Sequence, residues 1–148
     1  MTMVDISNKP EAFREATATG IITLKNGTIA LIEKGKISKG DPLHTARIAG
    51  IMAAKKTSIL IPLCHPLPLT KVDVEAKIVS HSTIQVTSIV RAKAQTGVEM
   101  EALTATAMGL LTIWDMVKQY EKDAEGQYPS TIIKDIHVTK KLKKGSVK

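Results

Sequence analysis

The sequence predicts an α+β fold in which helices pack on one face of a largely antiparallel sheet. Three observations predict it. Lys71 to Ile78 alternates apolar and charged residues, and Ile84 to Val90 repeats the alternation after the polar turn Ser80-His81-Ser82-Thr83. Val98 to about Tyr120 instead spaces Met100, Leu103, Ala107, Leu110, Trp114 and Val117 three and four apart, the period of a helix with one apolar face. Two strands joined by a short turn form a hairpin, and a long amphipathic helix beside it needs a sheet to cover.

The other elements follow in chain order. Glu15 to Leu24 reads as a strand closed by the Asn26-Gly27 turn signal, and Thr28 to Glu33 fits either helix or strand. Asp41-Pro42 places a capping side chain before a proline at the first helical position, opening a helix through Lys56. Ala46, Ala49, Gly50, Ala53 and Ala54 make that helix narrow, so another helix or a second subunit can pack closely against it. Pro62, Pro66 and Pro68 stiffen Ile61 to Leu69 into an extended loop, a firm mount for Cys64 and His65. Thr131 to Val138 reads as the last strand, before a lysine-rich tail.

Size and composition limit the function classes. A chain of 148 residues with 43% hydrophobic and 24% charged residues forms a single globular domain, 1–148, with flexible N-terminal residues. The lone Cys64 cannot form an internal disulfide, no secretory leader or membrane-length apolar run is present, and the expected compartment is the cytoplasm. The net charge of +7 is partly clustered: Lys134, Lys140, Lys141, Lys143, Lys144 and Lys148 crowd the C-terminus, and Lys34, Lys36 and Lys39 precede Gly40-Asp41. Such clusters suit either solvated surface or an anionic ligand, a phosphate-rich molecule or nucleic acid. Stacking aromatics are scarce, at 3% of residues, which disfavours the nucleic-acid-binding module. No phosphate loop, GxGxxG, HExxH, CxxC or GxSxG motif occurs, so lysine, arginine and backbone amides must do any phosphate binding.

Some polar groups stand out from their surroundings. His65, on the stiffened loop, suits proton transfer as well as it suits a hydrogen-bonded structural role. Cys64 reads as a small buried hydrophobe rather than a nucleophile. Asp115 and Lys118 lie three apart on the long helix, either an ordinary surface pair or mutually tuned acid/base partners. Glu101 lies fourteen residues before Asp115, about 21 Å along the axis, too far for one small ligand to touch both on one straight helix. They serve a long ligand, or a site combining two subunits, or Glu101 is structural.

Several blocks carry a resemblance: Lys39-Gly40-Asp41, Ala46 to Ile51, Leu60-Ile61-Pro62-Leu63-Cys64-His65-Pro66-Leu67, Thr96 to Thr104 and Leu111-Thr112-Ile113-Trp114-Asp115-Met116. In order and spacing they resemble the MoaC family, over nearly the whole chain. The resemblance implies a ferredoxin-like form of the α+β fold and a lyase of molybdenum-cofactor biosynthesis. That reaction takes 3′,8-cyclo-7,8-dihydro-GTP to cyclic pyranopterin monophosphate and pyrophosphate. It also implies a homohexamer, a trimer of dimers with sites at subunit interfaces, and neither nucleic acid nor membrane as a partner.

Carried over by position, the catalytic roles fall on Asp115, Lys118 and Lys39, and substrate contacts on Leu63, Cys64, His65, Met100 and Glu101. Arg14, Lys55, Glu99 and Lys141 match further polar positions of the family's pocket, while Arg47 is a structural bridge or a ligand contact. No metal ligand and no redox cofactor are implied, and whether Mg²⁺ accompanies the triphosphate stays open. The chain departs from the family at Lys143-Lys144-Gly145-Ser146-Val147, where a glycine-rich ending is common. It departs again at Trp114, where tyrosine is common and where added bulk in the core is expected.

Overall fold

A computed structural model describes residues 1–147, with side chains through 145; Lys148 of the basic C-terminus lies outside the described residues. Four strands form one antiparallel sheet in the order β2-β3-β1-β4, and the elements run β1, α1, α2, α3, β2, β3, α4, β4. This is the ferredoxin-like α+β arrangement, with the two crossovers carrying the helices.

Strand β1, Glu11–Thr23, turns Ala12, Arg14, Ala16, Ala18, Gly20 and Ile22 inward and leaves the alternate residues half-covered. It pairs with β3, Thr83–Ala94, and β3 pairs with β2, Leu69–Ile78, in the expected hairpin register Ile78 to Ile84. Asn26-Gly27, read as the turn that ends the first strand, is the first turn of helix α1, Asn26–Glu33. The reason lies far along the chain. Glu121 accepts from the Lys25 amide, at 3.1 and 3.2 Å to its two oxygens, and from the Thr28 hydroxyl, so the start of α1 is anchored by another helix.

Helix α2, Pro42–Lys55, starts as predicted, with Asp41 Oδ1 accepting from the amides of Leu43 at 2.9 Å and His44 at 3.1 Å. A single helical turn, α3, Thr57–Leu60, leads into the proline loop. Helix α4, Glu99–Glu121, lies beside α2 on the same face of the sheet, over β1 and β3, while α2 covers β2. Its buried row is Ala102, Ala105, Gly109, Leu110, Ile113 and Val117, whereas Met100, expected in the core stripe, is 41% exposed. Spacing of large apolar residues missed this because contact with α2 selects small side chains. A Cβ on Gly50 would stand 2.9 Å from the Ala105 carbonyl oxygen and 3.0 Å from a Val74 methyl.

Strand β4, Ile132–Val147, is twice as long as expected and includes the residues read as a lysine tail. Its pairing with β1 runs from Thr23–Ile132 to Glu11–Val147 with three register shifts, and Asp135 takes a positive φ of 58°. Backbone hydrogen bonds hold an edge strand to its neighbour without apolar alternation, so the hydrophobic pattern ended where the strand did not.

Candidate active site

Asp115 sits on the exposed side of α4, three residues before Lys118, whose Nζ donates to Asp115 Oδ1 at 2.9 Å. Lys39, from the loop between α1 and α2, completes the cluster: its Nζ lies 3.1 Å from Asp115 Oδ2 and 3.0 Å from the Asp115 carbonyl oxygen. Hydrogen bonding to Lys118, then to Lys39, holds the Asp115 carboxyl below the usual aspartate range, and Asp115 raises Lys118 above the usual lysine range. Both shifts keep the groups charged. Leu111, Trp114, Asp115, Lys118 and Ile133 line a cavity of about 390 Å³. Trp114, expected only to add bulk to the core, also walls this cavity and stacks edge-on against Tyr128, with ring centroids 5.1 Å apart.

A second constellation lies at the other end of α4. Leu63, Cys64 and His65 of the proline loop meet Glu99 and Met100 across a cleft of about 530 Å³. Glu101, behind it, is only 3% exposed; its Oε1 faces Cys64 Sγ at 3.9 Å, and its Oε2 has no hydrogen-bond partner. Burial raises the Glu101 carboxyl above its ordinary range, and burial, with Glu101 beside it, raises the Cys64 thiol. His65 Nε2 donates to the Val4 carbonyl at 2.7 Å; a carbonyl only accepts, so the neutral ring leaves Nδ1 as its acceptor. The cysteine is half-buried and the glutamate fully buried, so of the two the carboxyl is the stranger.

Of the remaining candidates only Lys141 reaches this cleft, through Glu99, while Arg14 and Lys55 lie outside its lining. Lys141, on β4, pairs with Glu99 at 2.6 Å, and that pairing offsets burial to draw the Glu99 carboxyl down overall. Arg14, 6% exposed, donates from Nε to the Ala94 carbonyl and from Nη2 to the Gln95 carbonyl, both at 3.3 Å. Lys55 lines a separate cavity of about 490 Å³, joined to the cleft only by the shared wall of Leu67. Arg47 donates from Nε to the Val74 carbonyl at 3.1 Å, bridging α2 to β2. Among the described residues no three His, Cys, Asp or Glu side chains gather as a metal cage.

The geometry therefore brings Lys39 to Asp115 and Lys118, and Cys64 and His65 to Glu99 and Glu101, and leaves the two groups at opposite ends of one helix. The family model described as MoaC family matches residues 3–145. The chain belongs to the MoaC family. Relatives of this MoaC chain include one from Sulfolobus acidocaldarius, 57% identical over 95% of this chain and 98% of its own length. One from Saccharolobus solfataricus is 58% identical over 95% and 94%, and one from Pyrococcus abyssi 56% identical over 95% and 88%. All three carry the name "Probable cyclic pyranopterin monophosphate synthase". In this MoaC chain, sequence reasoning had not found Tyr128 and Ile133 beside the Asp115 cluster, nor Tyr120 next to the Lys39 loop. Tyr120 entered the sequence reading only as the approximate end of the long helix, and Tyr128 and Ile133 come from segments that no helical or strand period links to Asp115.

Proposed function

We propose that this MoaC chain is a cyclic pyranopterin monophosphate synthase, converting 3′,8-cyclo-7,8-dihydro-GTP to the cyclic pterin phosphate with loss of pyrophosphate. The single observation that carries the proposal is the Lys39–Asp115–Lys118 cluster at the mouth of a cavity. Opening the substrate's five-membered ring and reclosing it as a pterin moves protons among nitrogens and hydroxyls. A carboxylate held between two ammonium groups provides a proton acceptor and two donors within one ligand's reach. Closing the cyclic phosphate requires a ribose-derived hydroxyl to attack the α-phosphorus while pyrophosphate leaves, and cationic side chains stabilise the charge gathering on the leaving group.

In the isolated chain the cluster is solvent-exposed, and its shifts keep Asp115 anionic and Lys118 cationic. Proton transfer asks for narrower spacing between their pKa values, which desolvation under a second copy would supply. The same second copy resolves the separation of about 21 Å along α4, since its Cys64–His65–Glu101 end can face the Asp115 end of the first. As the family resemblance implies, our reading puts the site between subunits of a homohexamer, a trimer of dimers, and its compartment in the cytoplasm. We propose that no redox cofactor takes part and that Mg²⁺, where present, accompanies the triphosphate.

The test supplies the purified cyclic dihydro-GTP and follows pyrophosphate release together with pterin fluorescence after oxidation. D115N, K118A and K39A should fold, assemble and each lose at least about a hundredfold in kcat, the lower range for a group that moves protons in the rate-limiting step. Parental turnover by any of the three would remove that residue from the catalytic set.

A further inference from the structure

The loop between α1 and α2 has to deliver Lys39, a long side chain with several rotatable bonds, to one carboxylate on a different helix. A lysine free to sample its rotamers spends little time in such a contact unless its backbone is held at the right distance. Four features hold it. Ile37 is buried in the core at 6% exposure, and Gly40 takes a φ of +113° that a side chain would resist, turning the loop back toward α2. Asp41 caps α2 immediately afterwards. The fourth is Tyr120: its hydroxyl accepts a hydrogen bond from the Ser38 amide at 2.8 Å, one residue before Lys39.

Tyr120 lies five residues beyond Asp115 on the same helix, and its ring packs against the hydrophobic core. The phenol is thus fixed by the element that carries Asp115 and Lys118, and it grips the backbone that carries Lys39. Hydrogen bonding with Ser38 also draws the Tyr120 hydroxyl below the usual tyrosine range. Glu121, the next residue, clamps the start of α1 through Lys25 and Thr28, so the last turn of α4 holds both ends of the segment leading to Lys39.

We propose that Tyr120 is a positioning residue, using its hydroxyl on the Ser38 amide to set the reach of Lys39 to Asp115. The inference rests on the catalytic role proposed for Lys39. Tyr120 touches neither Asp115 nor Lys39 by a hydrogen bond, so its effect passes through the backbone.

The test compares the parent with Y120F, K39A and the double variant, each as the full chain in its native assembly, by substrate saturation and by hydrogen exchange at the Ser38 amide. Phenylalanine keeps the ring in the core and removes only the acceptor. Y120F should lose about five- to tenfold in kcat, the worth of one hydrogen bond, with KM within about twofold of the parent. Its Tm should fall by less than about 4 °C. The Ser38 amide should exchange slowly in the parent and fast in Y120F, and Y120F should cost nothing further in the K39A background. Parental kcat in Y120F beside an inactive K39A overturns the positioning role alone. Parental kcat in K39A overturns the catalytic reading and this inference with it. Should Y120F fail to fold, the parent decides: a protected Ser38 amide upholds the contact, and an amide exchanging like open loop overturns it.

Discussion

Glu101 holds a carboxyl oxygen away from water without giving it a partner, and an anion in that position is costly. Its folded pKa is therefore raised, and the sign of the pH effect follows. The proton binds more tightly in the folded chain, so stability from this residue is fully present below the unfolded value of 4.5 and is lost as pH rises through the folded value. E101Q, which cannot ionise, should melt near the parent at pH 4 and increasingly above it as the pH rises. Thermal melts across that range check it, and a difference that stays flat or shrinks with pH would show that Glu101 is not strained as an anion. At this scale the sequence revealed Asp115 with Lys118, because helical periodicity puts i and i+3 side by side. Lys39 entered only through the family resemblance, since a contact spanning 76 positions obeys no period.

Helices α2 and α4 approach each other through residues whose merit is what they lack. Gly50 and Ala46 from α2 meet Ala105 and Gly109 from α4, and the narrowness of α2 was visible in its sequence. Replacing Gly50 by alanine gains about 1 kcal/mol of helix propensity but pushes a methyl against a backbone oxygen that cannot swing aside. G50A should be destabilised by a net 1–3 kcal/mol or so, read as a lower urea midpoint at unchanged m-value. A more stable G50A would mean that the two helices can slide apart at no cost. The cap at Asp41 and the β2–β3 hairpin were legible because their signals are local. Helix α1 and the second half of β4 were not: the start of α1 is anchored through Lys25 to Glu121, some 96 positions along the chain, and β4 is held by its pairing with β1.

For the whole molecule, the unpaired ends of α4 make a quantitative demand on assembly. If each site takes Asp115 from one copy and His65 from another, a D115N chain and an H65A chain are inactive separately and complement when reassembled together. Equal mixing gives roughly a quarter of parental activity by random pairing of copies. A mixture as dead as its components would put the complete site within one chain, and the composite reading would fall. The ferredoxin-like outline was available from alternation and helical spacing together with the family resemblance. Helical rise alone, by contrast, separated Glu101 from Asp115 and left a long ligand, a two-subunit site and a structural Glu101 equally open until the resemblance implied sites at subunit interfaces.

Strand β4 leaves one flank of the sheet open, with peptide groups that another strand could zip onto. Lys134, Lys140, Lys141, Lys143 and Lys144 stand along that flank with their side chains largely in water. A stranger strand docking there would meet a palisade of like charge whose hydration it must strip, and a second β4 would meet its own repulsion. The lysines that drew attention as bait for phosphate would, on the isolated chain, also disfavour the docking of a further strand along this border.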